Sequence, residues 1–282
     1  MGRGGRMKRL AAILCALMLM LPAARAEVRM FAVSVGKGDA IIIQAGDYTC
    51  MIDTGKKKKQ ENIEAAFKQL GVTALDAIFI THTDDDHVGG LKWLRDSDME
   101  IRAIYASAYF PETTLKKHQA VKTADELDLE VQWLTAGMHV PLGGSGAVFH
   151  VLAPEFEIPG NEDDNSLVMM LDSPDGRILL AGDMELAQES VLLNAGYDLR
   201  CNVLKVANHA DGDATSKQLI NACGAQIAVI STSTEEKEDT PDPGVLRNLQ
   251  NAGYDVYITQ DCSGGILVTL DGGAVRAQYM NW

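Results

Sequence analysis

Residues 77–90 read AIFITHTDDDHVGG, an apolar run that passes directly into a segment crowded with imidazole and carboxylate. No other stretch restricts the fold so tightly. Ala77–Ile80 has the length and composition of a short strand buried on both faces. A loop at the C-terminal end of such a strand can turn His82, Asp84, Asp86 and His87 toward one point. Gly89-Gly90 then permits a tight exit into a helix. Imidazole and carboxylate are borderline-to-hard ligands that suit Zn²⁺ or Mn²⁺. A solvated acidic loop would explain Asp84–Asp86 but not a histidine at each end.

Around this cluster, strand-like and helix-like segments alternate along the chain. Val28–Val35, Ala40–Gln44 and Tyr48–Ile52 read as strands separated by turn signals. Ile63–Leu70 is helical in period and stops at Gly71. A helix over Gly90–Asp96, a strand over Ile101–Ala106 and a helical period over Thr113–Leu127 follow. The second half places strands at Val148–Leu152, Leu167–Leu171, Ile178–Ala181, Val203–Val206, Ile227–Ser231, Val256–Ile258 and Gly265–Leu270. Helices fall at Glu185–Ala195 and Val245–Ala252. Two β-rich halves, each with helices, predict two packed sheets covered by helices. No Pro/Gly/Ser linker divides the chain, so residues 27–282 are expected to form one domain.

The first 26 residues read differently. Arg3, Arg6, Lys8 and Arg9 precede an unbroken apolar run, Leu10–Leu21, and then Pro22 and Ala23-Ala24-Arg25-Ala26. This is the pattern of a signal peptide cleaved after Ala26, and it predicts a secreted or extracytoplasmic protein. The run is shorter than the roughly 20 residues of a membrane span; an uncleaved N-terminal anchor is the alternative. Cleavage would remove five cationic residues and no acid, moving the net charge from −14 to −19. So acidic a surface repels polyanions on average, which counts against a protein that coats nucleic acid but not against a locally basic site. Lys56–Lys59 could be such a site, offering a positive rim to an anionic substrate; a solvated face is the plainer reading. Cys50, Cys201, Cys223 and Cys262 contain no CxxC pair. Buried free thiols are the default for Cys50 and Cys201, and pairing cannot be assigned.

The pattern H-x-[HD]-x-D-H followed by Gly-Gly resembles the signature of the metallo-β-lactamase superfamily. With Asp at its second ligand position, it is similar to the C-terminal hydrolase domain of ComEC, the competence DNA-uptake channel, and its stand-alone relatives. FAVSVGKGDAIIIQ (Phe31–Gln44) resembles the family's first hairpin, Met51–Gly55 its I-D-T-G motif and Asn165–Val168 its N-S-L-V strand. Leu179–Met184 resembles the strand that ends in a bridging Asp, and Leu204–His209 resembles L-K-V-x-H-H. The resemblance covers nearly all of residues 28–270. It implies an α+β fold, a four-layer αββα sandwich.

It also implies two divalent metal ions, zinc first and manganese as the alternative. One would fall to His82 and Asp84 and the other to Asp86, His87 and His209, with Asp183 bridging. By itself Asp183 also suits a turn or a helix N-cap. Asn165 stands near the family's third histidine and is a candidate weak ligand or substrate contact, with Lys56 and Lys57 as further candidate substrate contacts. Asp53 is expected to hydrogen-bond beside the site. Two departures stand out. The His-His-Gly of the family is Asn208-His209-Ala210 here, and its P-H-P segment is Pro241-Asp242-Pro243. Asn208 can contact a substrate oxygen but cannot donate a proton as histidine would, and Asp242 would repel a phosphate. His118, His139 and His150 have no motif context.

The implied activity is hydrolysis of a phosphodiester or related ester by a metal-activated water. Asp86, Asp183 and Asn208 are the candidate catalytic residues. The substrate would be a small molecule or nucleic acid, and nothing in the sequence identifies a protein partner. Two other readings stay open: hydrolysis of a small ester or lactone, and a metal-binding module without turnover.

Overall fold

The computed structural model describes residues 27–110 and 117–282; the expected signal peptide over residues 1–26, and residues 113–116 of the expected Thr113–Leu127 helix, lie outside them. The first half supplies β1 (Val28–Val33), β2 (Ile41–Ala45), β3 (Tyr48–Ile52), β4 (Ala74–Leu75), β5 (Ala77–Ile80), β6 (Glu100–Ile101), β7 (Ile104–Ser107) and β8 (Val131–Leu134). The second supplies β9 (His139–Pro141), β10 (Val148–Ala153), β11 (Val168–Ser173), β12 (Gly176–Leu180), β13 (Val203–Lys205), β14 (Ile227–Ile230), β15 (Asp255–Ile258), β16 (Gly265–Asp271) and β17 (Ala274–Met280).

They form an eight-stranded sheet, β17-β16-β1-β2-β3-β5-β7-β8, a seven-stranded sheet, β15-β14-β13-β12-β11-β10-β9, and a small β4-β6 pair. Both large sheets share one plan. Antiparallel strands on one side give way to parallel ones, at β3-β5 in the first and β12-β13 in the second. The chemistry-bearing loops leave the C-terminal ends of the parallel strands, where ligand sites of open α/β sheets collect.

Three apolar layers hold the sheets and helices together. Alternate residues of β1 part company: Val28, Met30 and Ala32 join the core between the sheets, while Phe31 and Val33 face helices. Ile63, Ala66 and Phe67 of the 60–70 helix pack on that outer face. On the far side, Leu192, Leu219, Ile220 and Leu249 cover the second sheet. The architecture is therefore the αββα sandwich. Burial on both faces explains why so many strands read as continuous apolar runs.

Several elements differ from the sequence reading. The Ile101–Ala106 strand is two strands, β6 pairing β4 and β7 pairing β5. The helix Lys217–Cys223 and the strands β8, β9 and β17 were not expected. Ser216 caps that helix, accepting hydrogen bonds from the N–H groups of Gln218 at 3.1 Å and Leu219 at 3.3 Å. β17 is an exposed edge that carries little apolar signal. Its hairpin with β16 turns at Gly272-Gly273, both at positive φ (57° and 84°), as a two-residue type I′ turn requires. Gly89 and Gly90 are needed for a reason other than backbone freedom. Their φ values are ordinary (−60° and −83°), but a Cβ on Gly90 would lie 2.2 Å from the Thr54 carbonyl oxygen, and one on Gly89 2.6 Å from the Lys57 nitrogen. Among the described residues no helix is long and apolar enough to cross a membrane.

Candidate metal centre

Four loops meet at one end of the sandwich. Asp53 follows β3, His82–His87 follow β5, Asp183 follows β12 and His209 follows β13. Asp53, His82, His87, Asp183 and His209 are all buried, each at most 3% exposed.

Each histidine is oriented by a partner at Nδ1. His87 Nδ1 donates to Asp53 Oδ2 at 2.7 Å, and His209 Nδ1 donates to the Ser231 carbonyl at 2.8 Å. The Thr81 hydroxyl donates to Asp53 at 2.6 Å and so presents a lone pair to His82 Nδ1 at 3.1 Å. Ser166 Oγ lies 3.2 Å from the same nitrogen. Nδ1 is thereby the protonated nitrogen in each neutral ring, which leaves three bare Nε2 atoms. His87 Nε2 and His209 Nε2 stand 3.4 Å apart, and Asp183 Oδ2 lies 3.2 Å from the first and 3.0 Å from the second. His82 Nε2 and Asp183 Oδ1 are buried with no hydrogen-bond partner.

Lone pairs so placed require a cation or protons. Burial pushes His82 down to about 3. Burial also opposes charge on His87, yet Asp183 and then Asp53 hold that ring well above the usual histidine value. Burial would raise Asp183, but His209 and His87 carry it well below the usual carboxylate range. Asp163 is pushed up to about 7 by burial, then by Asp183 and Asp84. The orphaned nitrogen and oxygen, the fixed tautomers and the crowded carboxylates all fit divalent cations held by these residues.

The donor atoms fall into several overlapping groups, two of which also draw in Asp39, once with Asp53 and His87 and once with Asp183 and His209. Asp86, His87 and His209 form one group, His82, His87 and Asp183 another, and His82, Asp84 and Asp163 a third; within each, the donor atoms lie within 4.8 Å of one another. Asp183 thus reaches toward both sides. It does not cap a helix: Glu185 is the N-cap residue of the 186–194 helix, whose Gln188 N–H, like that of Glu185 itself, is bound by Asp164 Oδ1 at 2.9 Å and 3.1 Å. Asp53 has the hydrogen-bonding place expected of it.

Asn165 requires a correction. Its Oδ1 accepts from Ile158 N at 2.8 Å, and its Nδ2 donates to the carbonyls of Ile158 and Asn161 at 2.8 and 2.7 Å. The amide braces its own loop and is not turned to the site as a ligand or substrate contact. Asn208 Nδ2 donates to Glu185 Oε1 at 3.2 Å. Asp242 is an N-cap, its Oδ1 accepting from Gly244 N at 2.6 Å and Val245 N at 3.0 Å. That carboxylate is engaged by its own helix. Lys56 pairs with Glu236, and Lys57 and Lys58 are exposed. Lys56–Lys59 and Lys92 line an open cavity of about 720 Å³ that meets the centre at Asp86.

Two groups escaped the sequence reading. One is Asp163, inside the run Glu162-Asp163-Asp164. The other is a buried ion pair beneath the histidines, Asp39 Oδ2 to Lys205 Nζ at 2.8 Å, with side chains 2% and 1% exposed. Asp39 Oδ1 has no partner. A lysine inside the apolar run Val203–Ala207 was the available signal, since a charge there needs a partner.

His118 accepts from Ala120 N at 3.2 Å and packs edge-on against Phe110 and Trp133. His139 and His150 face each other across β9 and β10. Cys50, Cys223 and Cys262 are buried free thiols, and Cys201 is partly exposed.

Comparison with known proteins bears on the fold and the family. ComE operon protein 3 of Bacillus subtilis (strain 168) is 25% identical over 290 residues, 95% of this chain and 36% of that protein. Competence protein ComA of Neisseria gonorrhoeae is 24% identical over 247 residues, 87% of this chain and 33% of that protein. The chain thus spans about a third of the length of these curated relatives. Among solved structures, the metallo-beta-lactamase fold protein YhfI from Bacillus subtilis superposes with a TM-score of 0.56 at 15% identity, over 86% of this chain and 99% of that one. A diphosphatase from the PhnP family gives 0.50 at 15% identity, over 90% and 99%. Residues 33–232, from the end of β1 to just past β14, match the family model directly. With the fold, the order of its loops and that match in agreement, the chain belongs to the metallo-beta-lactamase superfamily.

Proposed function

We propose that this chain is an exported two-metal hydrolase of phosphodiesters or related esters. The observation that carries the reading is the convergence of three bare imidazole nitrogens on Asp183, with two of the buried atoms unpartnered. His82 and Asp84 would hold one metal, and Asp86, His87 and His209 the other, with Asp183 between them. Divalent cations bound there, zinc or manganese, supply Lewis acidity and a water that is nucleophilic near neutral pH.

The protein's own contribution is orientation and charge. Asp53, Thr81, Ser166 and the Ser231 carbonyl fix the three rings, so little reorganisation is needed when ligands engage. Lys57 and Lys58 place exposed positive charge beside Asp86 on an otherwise acidic protein, which favours an anionic substrate over a neutral lactone. Asn208 Nδ2 gives one of its two N–H donors to Glu185, leaving the other for a substrate oxygen. The resemblance to the competence hydrolase domain places nucleic acid among the phosphodiesters to test. Export belongs to the same proposal, and N-terminal sequencing of the mature protein should begin at Glu27.

The test is metal analysis joined to turnover. Chelator-treated protein reloaded with Zn²⁺ or Mn²⁺ should take up two equivalents and cleave bis-p-nitrophenyl phosphate or single-stranded DNA. Two bound equivalents with neither substrate cleaved would refute the phosphodiesterase reading. That outcome would favour a metal-binding module without turnover, the second reading, to which the engaged amide of Asn208 gives some support. Asp183→Ala should lose both metals; two equivalents retained after dialysis would refute its bridging place.

A further inference from the structure

We propose that Asp163 is the third protein ligand of the metal held by His82 and Asp84, a place that this chain fills with a carboxylate from the 163–165 turn. The inference rests on the metal-centre reading above and extends it to a residue that no motif marks.

Three consecutive acids, Glu162, Asp163 and Asp164, enter this turn with different tasks. Glu162 Oε1 accepts the Thr83 N–H at 2.9 Å. Asp164 Oδ1 accepts two N–H groups at the start of the 186–194 helix. Asp163 differs. Its backbone is fixed, its N–H donating to Asn161 Oδ1 at 3.0 Å while Asn165 braces the loop from inside. Its side chain is 27% exposed, shares a hydrogen bond with the Glu185 side chain, and brings Oδ1 to 3.6 Å from His82 Nε2.

That separation is too long for a hydrogen bond. It is close to the roughly 3.4 Å expected between two ligands of one tetrahedral ion with bonds of about 2.1 Å. His82 Nε2 is the independent witness: a buried nitrogen, its side chain 1% exposed, with no hydrogen-bond partner. Donor atoms of His82, Asp84 and Asp163 lie within 4.8 Å of one another.

The consequence is a pair of unequal sites. The first would have one imidazole and carboxylates from Asp84, Asp163 and Asp183. The second would have two imidazoles and carboxylates from Asp86 and Asp183. Zinc, a borderline ion, should fill the histidine-rich site first and the carboxylate-rich site more weakly.

Calorimetric titration of the metal-free full chain with Zn²⁺ tests this. Wild type should bind two equivalents in two steps. Asp163→Ala should keep the tighter step and weaken the other at least tenfold, with the far-UV spectrum and thermal midpoint of the metal-free protein unchanged. Asp163→His, which supplies an imidazole at the same place, should restore the second step. Glu162→Gln should bind as wild type does. If Asp163→Ala does not fold, the near-isosteric Asp163→Asn is titrated instead and should show the same weakened step. Two wild-type affinities in the Ala or Asn variant overturn the proposal, and so does a wild type that takes up fewer than two equivalents. If the wild type binds two metals and cleaves no phosphodiester while Asp163→Ala still loses one metal, the functional reading is refuted and Asp163 remains a ligand.

Discussion

Lys205→Met removes one half of the buried pair beneath the candidate metal centre and leaves Asp39 with only the His209 and His87 rings to offset its charge. Asp39 would keep a carboxylate 2% exposed, with Oδ1 already unpartnered and Oδ2 newly so. At 2.8 Å the attraction lost is about 6 kcal/mol with an effective dielectric constant near 20. The desolvation of two ions offsets much of that in the intact pair, which is why a whole buried pair adds little over an apolar one. Removing a single partner is another matter and costs about 3–5 kcal/mol. A domain with roughly 5–15 kcal/mol in hand feels such a loss acutely. Asp39→Asn with Lys205→Met leaves no stranded charge, so the double variant should be more stable than Lys205→Met alone. The assay is urea unfolding of metal-free protein, which keeps metal binding out of the equilibrium. The predicted coupling in the double-mutant cycle is at least about 2 kcal/mol. A Lys205→Met loss under about 1 kcal/mol, or a double variant whose loss equals the sum of the single losses, would refute this account.

Three further outcomes can be checked on the same protein. His118 is held neutral by burial, its pKa pushed down to about 4 from 6.5, so the unfolded state takes up a proton first as pH falls. Stability should therefore drop between pH 6.5 and 4, by up to about 3 kcal/mol. His118→Asn should flatten that fall in urea midpoints; an unchanged slope would count against it. Asp242→Ala should cost about 1 kcal/mol through loss of its N-cap, seen as a lower thermal midpoint, while zinc stoichiometry stays at the wild-type value. Gly90→Ala forces a Cβ to within 2.2 Å of the Thr54 carbonyl oxygen and should destabilise by about 1–3 kcal/mol or more; a wild-type melting curve would show that the loop yields freely.

The sequence exposed this fold wherever burial is two-sided. β1, β2, β5 and β14 are apolar on both faces and are plain in the chain, and so is the 60–70 helix, whose buried residues recur at helical spacing. β17 and β9 carry weak patterns because their exposed residues interrupt any apolar run. The site divides in the same way. His82, Asp84, Asp86 and His87 are local, so a contiguous motif reveals them. Asp163 and the Asp39–Lys205 pair depend on which way a turn faces and on two sheets meeting, and neither is written in spacing. Asn165 misled for a related reason: its sequence place is near the site, but its amide is needed to hold the turn that presents Asp163.

β1 lies between β2, its near neighbour in sequence, and β16, which comes from the far end of the chain. During synthesis β1 and β2 are thus made long before the strand that covers β1's other edge. Until residues 265–271 emerge, that edge is a bare row of backbone groups beside buried-type side chains, an invitation to pair with a neighbouring chain. The metal loops wait in a similar way, because Asp183 and His209 arrive after the 82–87 loop is already made. On the two-metal reading proposed above, a nascent chain holds only half a chelate, and metal retention becomes a late mark of completed assembly. Ribosome-stalled chains ending before β16 should be prone to aggregation.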